Sequence, residues 1–188
     1  MKLILASNSP RRREILKNAG YDFKVIVSDF SEVEEKGDPA ATAEENALGK
    51  AKDVFDKLTV SEKRECVVLG ADTVVFIDGK ILGKPNDERE AKEMLRYLSA
   101  RTHEVVTGYS LRYRGGEISD KSVSRVKFNA LTEKLIKEYV ASGKPMDKAG
   151  AYGIQDGFPI VESYSGEFEN VMGLPIKDIK PILEKLGV

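Results

Sequence analysis

Residues 3–16 of the chain read Leu3-Ile4-Leu5-Ala6-Ser7-Asn8-Ser9-Pro10-Arg11-Arg12-Arg13-Glu14-Ile15-Leu16. The apolar residues at the start of this run predict a buried strand, and the small polar residues that follow end it. Ser9 is a favourable N-cap and Pro10 suits the first helical position. The run therefore predicts a strand, a short polar turn and a helix.

The start of this predicted helix is a candidate anion site. Its first backbone N–H groups have no partner within the helix and point toward the turn. On a helical wheel Arg12 shares the face of Ile15 and Leu16, so we expect it to point into the protein at the mouth of the helix. A guanidinium held there favours phosphate as its partner. The alternative is a basic first turn in solvent, which the helix dipole disfavours.

Composition limits the class of protein. The chain has 188 residues, of which 41% are hydrophobic and 32% charged, with a net charge of −1. This length suits one domain or two small lobes. A general nucleic-acid binder would be more basic, so we expect no nucleic-acid partner. An anionic ligand has to be held by local charge.

Targeting and redox signals point to the cytoplasm. The sequence shows no signal-peptide pattern and no apolar run long enough to cross a membrane, so no membrane partner is expected. Cys66 is the single cysteine. It excludes a disulfide within the chain and favours a reducing compartment. The sequence leaves the oligomeric state open, with a homodimer as one assembly to consider.

Hydrophobic patterning along the chain predicts an α/β fold with a mixed sheet. The run Cys66–Leu69 has the continuous apolar character of a strand that is buried on both faces. Asp78-Gly79 predicts a tight hairpin, and Gly115-Gly116 joins two long stretches of strand character. Phe158–Val161 is a further predicted strand. Thr42, followed three residues later by Glu45, predicts a capping box that opens a helix carrying Lys50.

Several kinds of chemistry are excluded or disfavoured. The sequence contains no Walker loop, no dinucleotide fingerprint and no paired CxxC motif. His103 is the single histidine and lies in a strand pattern, so a structural role is favoured over a metal site. Cys66 is expected to be buried, which argues against a catalytic thiol.

Carboxylates and cations remain at the ends of predicted elements. Asp72 directly follows the predicted strand Cys66–Leu69, where open α/β sheets place their ligands. With Glu35 from an acidic loop it could supply the oxygen ligands that Mg²⁺ or Mn²⁺ prefers, while Arg12, Lys50 and Lys84 neutralise phosphate charge. The alternatives stay open: a turn-forming Asp72, exposed lysines, and a solvated acidic loop around Glu35.

A set of motifs carries a family resemblance. They are Ala6-Ser7-Asn8-Ser9-Pro10-Arg11-Arg12, Glu34-Glu35, Gly70-Ala71-Asp72-Thr73-Val74-Val75, Gly83-Lys84-Pro85, Asp147-Lys148-Ala149-Gly150-Ala151-Tyr152-Gly153-Ile154-Gln155 and Val171-Met172-Gly173-Leu174-Pro175. Together they resemble the Maf family of nucleoside triphosphate pyrophosphatases, nearly end to end and in the family's order.

The resemblance implies a fold and an activity. The fold is a single domain over residues 1–188, an elongated α/β structure with two lobes around a deep central cleft, similar to the inosine triphosphate pyrophosphatases (the Maf/Ham1 fold). The activity is hydrolysis of a nucleoside triphosphate substrate to the monophosphate and pyrophosphate with a divalent metal, Mg²⁺ or Mn²⁺, as cofactor. The resemblance places the proton acceptor on Asp72. It places phosphate and metal contacts on the following residues: Ser7, Arg12, Glu35, Lys50 and Lys84.

Substrate subgroups of the family differ at three positions. At Arg11, Thr73 and Gln155 the chain is similar to the subgroup that prefers dTTP and UTP, and unlike the one that prefers 7-methyl-GTP. Asp156 is a departure, because the family usually has glycine after the glutamine. This residue therefore bears on the shape of the loop beside the base.

We therefore expect an enzyme that hydrolyses dTTP and UTP, and so removes unwanted or modified nucleotides. Asp72 would act as the base, and a metal held by Glu35 and Asp72 would assist. Two alternatives remain, a non-catalytic nucleotide-binding regulator of septum formation and a 7-methyl-GTP pyrophosphatase. A single-stranded nucleic-acid module is disfavoured by the absence of tryptophan and the near-neutral charge.

Overall fold

The computed structural model describes residues 1–33 and 37–188. Within these ranges, seven strands form one mixed sheet in the order β2-β1-β3-β5-β6-β7, and β4 pairs with β3. The strands are β1 (Lys2–Leu5), β2 (Phe23–Val25), β3 (Cys66–Ile77), β4 (Lys80–Leu82), β5 (Thr102–Tyr113), β6 (Gly116–Phe128) and β7 (Val161–Ser165).

Helices cover both faces of the sheet. They are α1 (Pro10–Asn18), α2 (Pro39–Lys57), α3 (Val60–Glu65), α4 (Glu88–Leu98), α5 (Glu133–Ala141), α6 (Phe168–Met172) and α7 (Ile176–Lys185). Two short 3-10 helices, Lys144–Asp147 and Ala149–Ala151, lie between α5 and β7. No helix in the described ranges has the length and apolar character needed to cross a membrane. The predicted mixed α/β fold is confirmed.

Strand β1 shows how the sequence pattern places the core. Leu3 and Leu5 pack with Leu16 of α1 and Leu183 of α7, whereas Ile4 faces the other side of the sheet, toward α2. Both faces of the strand are thus covered, which explains its continuous apolar run. Each such side chain, once fully buried, contributes about 1.5–3 kcal/mol relative to exposure.

The predicted strand, turn and helix at residues 3–16 are confirmed. Ser9 is the N-cap of α1, its side chain accepts a hydrogen bond from the backbone N–H of Arg12, and Pro10 begins the helix. Arg12 is buried, as its helical face predicted. The hairpin at Asp78-Gly79 is also confirmed, with positive φ at both turn residues and antiparallel pairing of β3 and β4.

Strand β3 differs from the prediction. It does not end before Asp72 but runs on to Ile77. Its first four residues pair in parallel with β1, and β1 then stops at Leu5. On the other side β5 continues, with Gly108 opposite Asp72. Asp72 therefore lies in mid-strand, just beyond the carboxyl end of the shorter neighbouring strand.

Two further predictions are wrong in detail. Helix α2 begins at Pro39 with Asp38 as its N-cap, so Thr42 and Glu45 lie inside the helix and do not start it. Asp followed by Pro supplies both a cap and a first-turn residue, and this earlier start is the one that forms. The strand predicted at Phe158–Val161 forms instead at Val161–Ser165 as β7, where it pairs with β6.

Helix α2 lies directly against the middle of the sheet. A side-chain carbon added at Gly70 would come 2.3 Å from the carbonyl oxygen of Ala47, and one added at Gly108 would come 2.4 Å from that of Ala43. Glycine at both positions lets the helix backbone approach the strands closely. The helix is thereby held beside the segment of β3 that carries Asp72.

Candidate active site

A cleft of about 380 Å³ opens where β1 ends, where α1 begins, and beside the midpoint of β3. Eight of the residues predicted for a site line this one cleft: Ser7, Arg11, Arg12, Lys50, Asp72, Thr73, Lys84 and Gln155. The ninth, Glu35, lies outside the described residues, so its predicted role as a metal ligand stays a prediction. Residues from five separate parts of the sequence thus converge on one place.

The guanidinium of Arg12 is held by three hydrogen bonds. Its Nε donates to the carbonyl of Gly173 at 2.7 Å, Nη1 to the Ser7 hydroxyl at 3.2 Å, and Nη2 to Oγ1 of Thr73 at 3.2 Å. These acceptors come from β3, the polar turn before α1 and the loop after α6. The guanidinium is therefore fixed by three elements at once.

The hydrogen bonds behind Arg12 have one consistent direction. The hydroxyl of Thr107 donates to the carbonyl of Asn170 at 3.1 Å, so in the 2.9 Å contact with Thr73 it has to be the acceptor. Thr73 then donates to Thr107 while it accepts from Arg12. A buried chain of donors and acceptors therefore runs from the guanidinium to the backbone of α6.

Arg12 carries a buried charge, and its side-chain hydrogen-bond partners among residues 1–33 and 37–188 are uncharged. Its acceptors among the described residues are a carbonyl and two hydroxyls. Burial lowers the pKa of the guanidinium, and the nearby Asp72 carboxylate partly offsets that effect. A buried cation without an ion-pair partner favours an anion beside it. The cleft at Arg12 is suited to an anionic ligand.

A second group of charges lines the same cleft as Arg12. Lys50 Nζ lies 2.7 Å from Oδ1 of Asp72 and 2.6 Å from Oε1 of Glu32. Both Lys50 and Asp72 have side chains that are 11% exposed. We call the following residues the inner cluster: Ser7, Arg12, Glu32, Asn46, Lys50, Asp72 and Thr73.

Asn46 joins the acidic loop to Asp72. Its Oδ1 accepts from the backbone N–H of Val33 at 2.7 Å, and its Nδ2 donates to the Val33 carbonyl at 3.2 Å and to Oδ2 of Asp72 at 3.1 Å. Both N–H groups of the amide are therefore used, and the residue is only 3% exposed. Asn46 fixes the carboxylate of Asp72 and the loop that brings Glu32 to Lys50.

Sequence reasoning did not single out Asn46 or Glu32 as site residues. Asn46 precedes Lys50 by four positions in a helix, so the two side chains share one face. That spacing was the available signal. Glu32 lies in the predicted acidic loop, and nothing in the sequence distinguishes it from the other glutamates there.

The charges of the cleft keep Glu32 ionised. Burial raises the pKa of its carboxyl, but the hydrogen bond and charge of Lys50, with Lys84 and Arg12 further away, outweigh burial and bring the pKa below its ordinary value. Glu32 and Asp72 thus present anionic oxygens to one ammonium group. Lys84 also lines the cleft but is exposed.

The donor set fits a small divalent cation. Two carboxylates that converge on one ammonium group can also converge on a metal ion, and Mg²⁺ typically takes one or two carboxylates together with phosphate oxygens and water. Within residues 1–33 and 37–188, no three His, Cys, Asp or Glu side chains are grouped to hold a metal by themselves. The described residues therefore suit a cation that arrives with a phosphate ligand.

The other end of the cleft is built from loops. Arg11 donates from Nη1 to Oδ2 of Asp147 at 2.7 Å and from Nη2 to the Asp147 carbonyl at 3.2 Å, and Lys148 lies 2.9 Å from the other carboxylate oxygen. Burial raises the pKa of Asp147, but its contacts with Lys148 and Arg11 bring it below the ordinary value. We call the following residues the outer cluster: Arg11, Asp147, Lys148, Gln155 and Asp156.

Gln155 and Asp156 complete the outer cluster. Gln155 Nε2 donates to Oδ1 of Asp156 at 3.2 Å, and the Tyr139 hydroxyl donates to Oδ2 at 2.5 Å. The backbone N–H of Gly150 donates to the carbonyl of Gly83 at 3.0 Å, which joins this glycine-rich segment to the residue before Lys84.

His103 and Cys66 lie away from this chemistry. His103 is 2% exposed, contacts the Tyr152 hydroxyl through Nε2 at 2.8 Å and packs edge-on against Phe128. Burial lowers the pKa of His103 to about 4. Cys66 is 5% exposed. The predictions of a structural histidine and a buried thiol are confirmed.

Comparison with known proteins places the chain among close relatives. It is 46% identical to the dTTP/UTP pyrophosphatase of Thermococcus onnurineus, over 97% of this chain and 96% of that protein. It is 44% identical to the protein of the same name from Clostridium novyi, over 100% and 99%. The corresponding protein of Aquifex aeolicus is 43% identical, over 100% and 97%.

Two solved structures show weaker likeness, which concerns the fold alone. The Ham1 protein of Staphylococcus aureus has a TM-score of 0.49 and 17% identity, over 68% of this chain and 72% of that one. A nucleoside-triphosphatase, or dITP/XTP pyrophosphatase, from Mycobacterium abscessus has a TM-score of 0.43 and 20% identity, over 99% and 94%.

The family model described as "Maf-like protein" matches residues 2–186. That span includes every motif on which the resemblance rests and every residue of both clusters. The predicted resemblance is thus confirmed, and the chain belongs to the Maf family.

Proposed function

We propose that this protein hydrolyses dTTP and UTP to the nucleoside monophosphate and pyrophosphate. The observation that carries the proposal is the buried Arg12 guanidinium, bonded among the described residues only to uncharged groups and lying in the same cleft as Asp72. The names of the relatives, dTTP/UTP pyrophosphatase, support the choice of substrate.

The triphosphate binds at the inner cluster in this proposal. Among the described residues, Arg12, Lys50 and Lys84 supply three cations against the carboxylates of Glu32 and Asp72, so this part of the cleft can receive the negative charge of a triphosphate. The start of α1 adds backbone N–H groups and the positive end of the helix dipole. The ligand's phosphates occupy this region, and the base extends toward the outer cluster.

Asp72 is the proton acceptor. Its two oxygens accept from Lys50 and Asn46, and each carboxylate oxygen keeps a further lone-pair site. A water molecule that attacks the α-phosphorus transfers a proton to Asp72. The bond from that phosphorus to the bridging oxygen breaks, and pyrophosphate leaves. Positioned groups of this kind contribute about 10²–10⁴-fold to a rate.

A divalent cation, Mg²⁺ or Mn²⁺, fits the carboxylates of Asp72 and Glu32, and Glu35 is proposed as a further ligand. When bound, it would neutralise phosphate charge and polarise the phosphorus–oxygen bond. Arg12 and Lys50 hold the phosphates on the remaining sides, so the charge that develops on the departing pyrophosphate faces fixed cations.

We also propose that the chain acts as one domain in the cytoplasm, on unwanted or modified nucleotides. The family match over residues 2–186 supports the single domain. The single cysteine, Cys66, is buried and has no second cysteine with which to form a disulfide within the chain. A reducing compartment suits such a chain.

Pyrophosphate release tests the activity. Purified protein is incubated with dTTP, UTP, CTP or 7-methyl-GTP in Mg²⁺ or Mn²⁺, and kcat/KM is compared. We expect dTTP and UTP to be hydrolysed well and 7-methyl-GTP poorly. EDTA should abolish activity, and added metal should restore it. Binding without release would identify a non-catalytic regulator, and preference for 7-methyl-GTP would place the chain in the other subgroup.

A further inference from the structure

We propose that Asp156 fixes the orientation of the Gln155 carboxamide and thereby makes the cleft discriminate uracil and thymine from cytosine. Asp156 is a positioning residue in this proposal, since it acts through Gln155 and does not touch the nucleotide. The inference rests on the proposed function and identifies what sets its base selectivity.

The contact between the two side chains permits one amide orientation. Gln155 Nε2 lies 3.2 Å from Oδ1 of Asp156. A carboxylate offers acceptors only, so the end of the carboxamide that faces it has to be the NH₂ group. A flipped amide would place oxygen against oxygen and lose the hydrogen bond. Oε1 and the second N–H of Gln155 are therefore presented in a fixed order.

Asp156 is itself held firmly. Its side chain is 8% exposed, its Oδ2 accepts from the Tyr139 hydroxyl at 2.5 Å, and Lys148 Nζ lies 3.5 Å from the same oxygen. Burial raises the pKa of Tyr139, so the hydroxyl keeps the proton that it donates. The carboxylate thus has a fixed position, and it fixes the orientation of the Gln155 amide beside it.

Glycine at position 153 makes room for this arrangement. A side-chain carbon at Gly153 would come 2.7 Å from Oδ1 of Asp156 and 2.7 Å from Cε of Lys148. The Gly153 backbone N–H donates to the Tyr139 hydroxyl at 2.8 Å. The loop is therefore shaped so that the Asp156 side chain packs against the backbone at Gly153, next to Gln155.

The two pyrimidine edges require opposite amide orientations. Uracil and thymine present an N3–H donor beside a carbonyl acceptor, whereas cytosine presents an N3 acceptor beside an amino donor. A carboxamide carries one acceptor and one donor, so it can pair with either edge only if it is free to flip. A carboxamide fixed by Asp156 can pair with one edge in a given pose and leaves the other with mismatched groups.

Two substitutions at Asp156 test whether its carboxylate fixes the Gln155 amide. Asp156→Asn keeps the shape but offers a donor as well as an acceptor, so Gln155 can flip. Asp156→Gly removes the partner. In both variants we expect the ratio of kcat/KM for UTP to that for CTP to fall about tenfold, the scale of one or two hydrogen bonds. An unchanged ratio in the folded Asp156→Asn variant would overturn the proposal.

A double variant separates positioning from a structural effect. If Asp156 acts through Gln155, Asp156→Asn should not alter the ratio when Gln155→Met is already present. Lys144→Met serves as the control for the loop. It removes the hydrogen bond from Lys144 Nζ to the backbone carbonyl of Asp156 but leaves the carboxylate and its contact with Tyr139 in place, so the UTP-to-CTP ratio should be kept.

Other outcomes are also decisive. The same fall of the ratio in Lys144→Met, or an undiminished effect of Asp156→Asn in the Gln155→Met background, would contradict the proposal that Asp156 acts by fixing the Gln155 amide. Failure of the unmodified protein to release pyrophosphate from UTP would refute the proposed function, which is a different result from an unchanged ratio in an active enzyme.

Discussion

The inner and outer clusters are both made of charged and polar side chains in one cleft, yet they are built differently. Most inner side chains stand on β3, α1 and α2, and those of Lys50 and Asp72 are 11% exposed. The outer cluster takes most of its residues from the loops after α5, and its Asp147 side chain is 55% exposed. One cluster is fixed by the sheet and the other by contacts among loop residues.

The two clusters also differ in their balance of charge. The inner residues, with Lys84, place three cations against two described carboxylates, whereas Arg11 and Lys148 in the outer cluster are matched by Asp147 and Asp156. Excess positive charge suits a triphosphate, and a balanced cluster suits an uncharged base. The comparison therefore separates, within the proposed function, the residues that act on the phosphates from Gln155 and Asp156, which act on the base.

The largest expected effect is at Asp72. Asp72→Asn keeps the size of the side chain but removes the basic lone pairs, so kcat should fall about 10²–10⁴-fold while nucleotide binding persists. Single-turnover pyrophosphate release and titration calorimetry would measure the two quantities. Activity within threefold of the unmodified protein would show that Asp72 is not the base.

A smaller loss is expected at Arg12. Arg12→Ala removes a charged clamp on the triphosphate, and such contacts are worth about 1.5–3 kcal/mol, so kcat/KM should fall by about 10–100-fold. Arg13→Ala is the matched control, because Arg13 lies next to Arg12 in α1 but its side chain bonds only to Asn8 among the described residues. Equal losses of kcat/KM in both variants would show that Arg12 contributes only general positive charge.

The smallest effect is expected in the outer cluster. Gln155→Glu removes the donor of the carboxamide and sets a second carboxylate beside Asp156, so kcat/KM for dTTP and UTP should fall several-fold to about tenfold. CTP and 7-methyl-GTP should be affected less. Kinetics on all four substrates would measure this difference, and equal losses would show that Gln155 does not distinguish the bases.

Rules that depend on neighbouring residues were enough to predict much of the inner cluster from the sequence. Ser9, Pro10 and the shared face of Arg12 with Ile15 and Leu16 predicted the capped helix and the inward arginine, because capping and helical periodicity depend on neighbouring residues. The same rules failed at Thr42, where the earlier Asp38 and Pro39 begin the helix. Local signals of similar strength compete, and packing decides between them.

Long-range contacts explain what the sequence could not supply. Asn46 acts by touching Val33 and Asp72, which are 13 and 26 positions away. The mid-strand position of Asp72 depends on where β1 stops, a property of a different segment. Neither the contacts of Asn46 nor the mid-strand position of Asp72 follows from residue spacing within one element. The roles of the site residues are predictions that the experiments above test.

The close approach of α2 to the sheet has a consequence for how this protein can vary. Gly70 and Gly108 bring no reactive group, but any larger residue there would push away the helix that holds Lys50 and Asn46 beside Asp72. In a library of random variants selected for activity, these two positions should therefore tolerate as few replacements as Asp72, the proposed base. A position in this protein that tolerates no replacement can therefore indicate a close approach of two backbones as well as a reactive side chain.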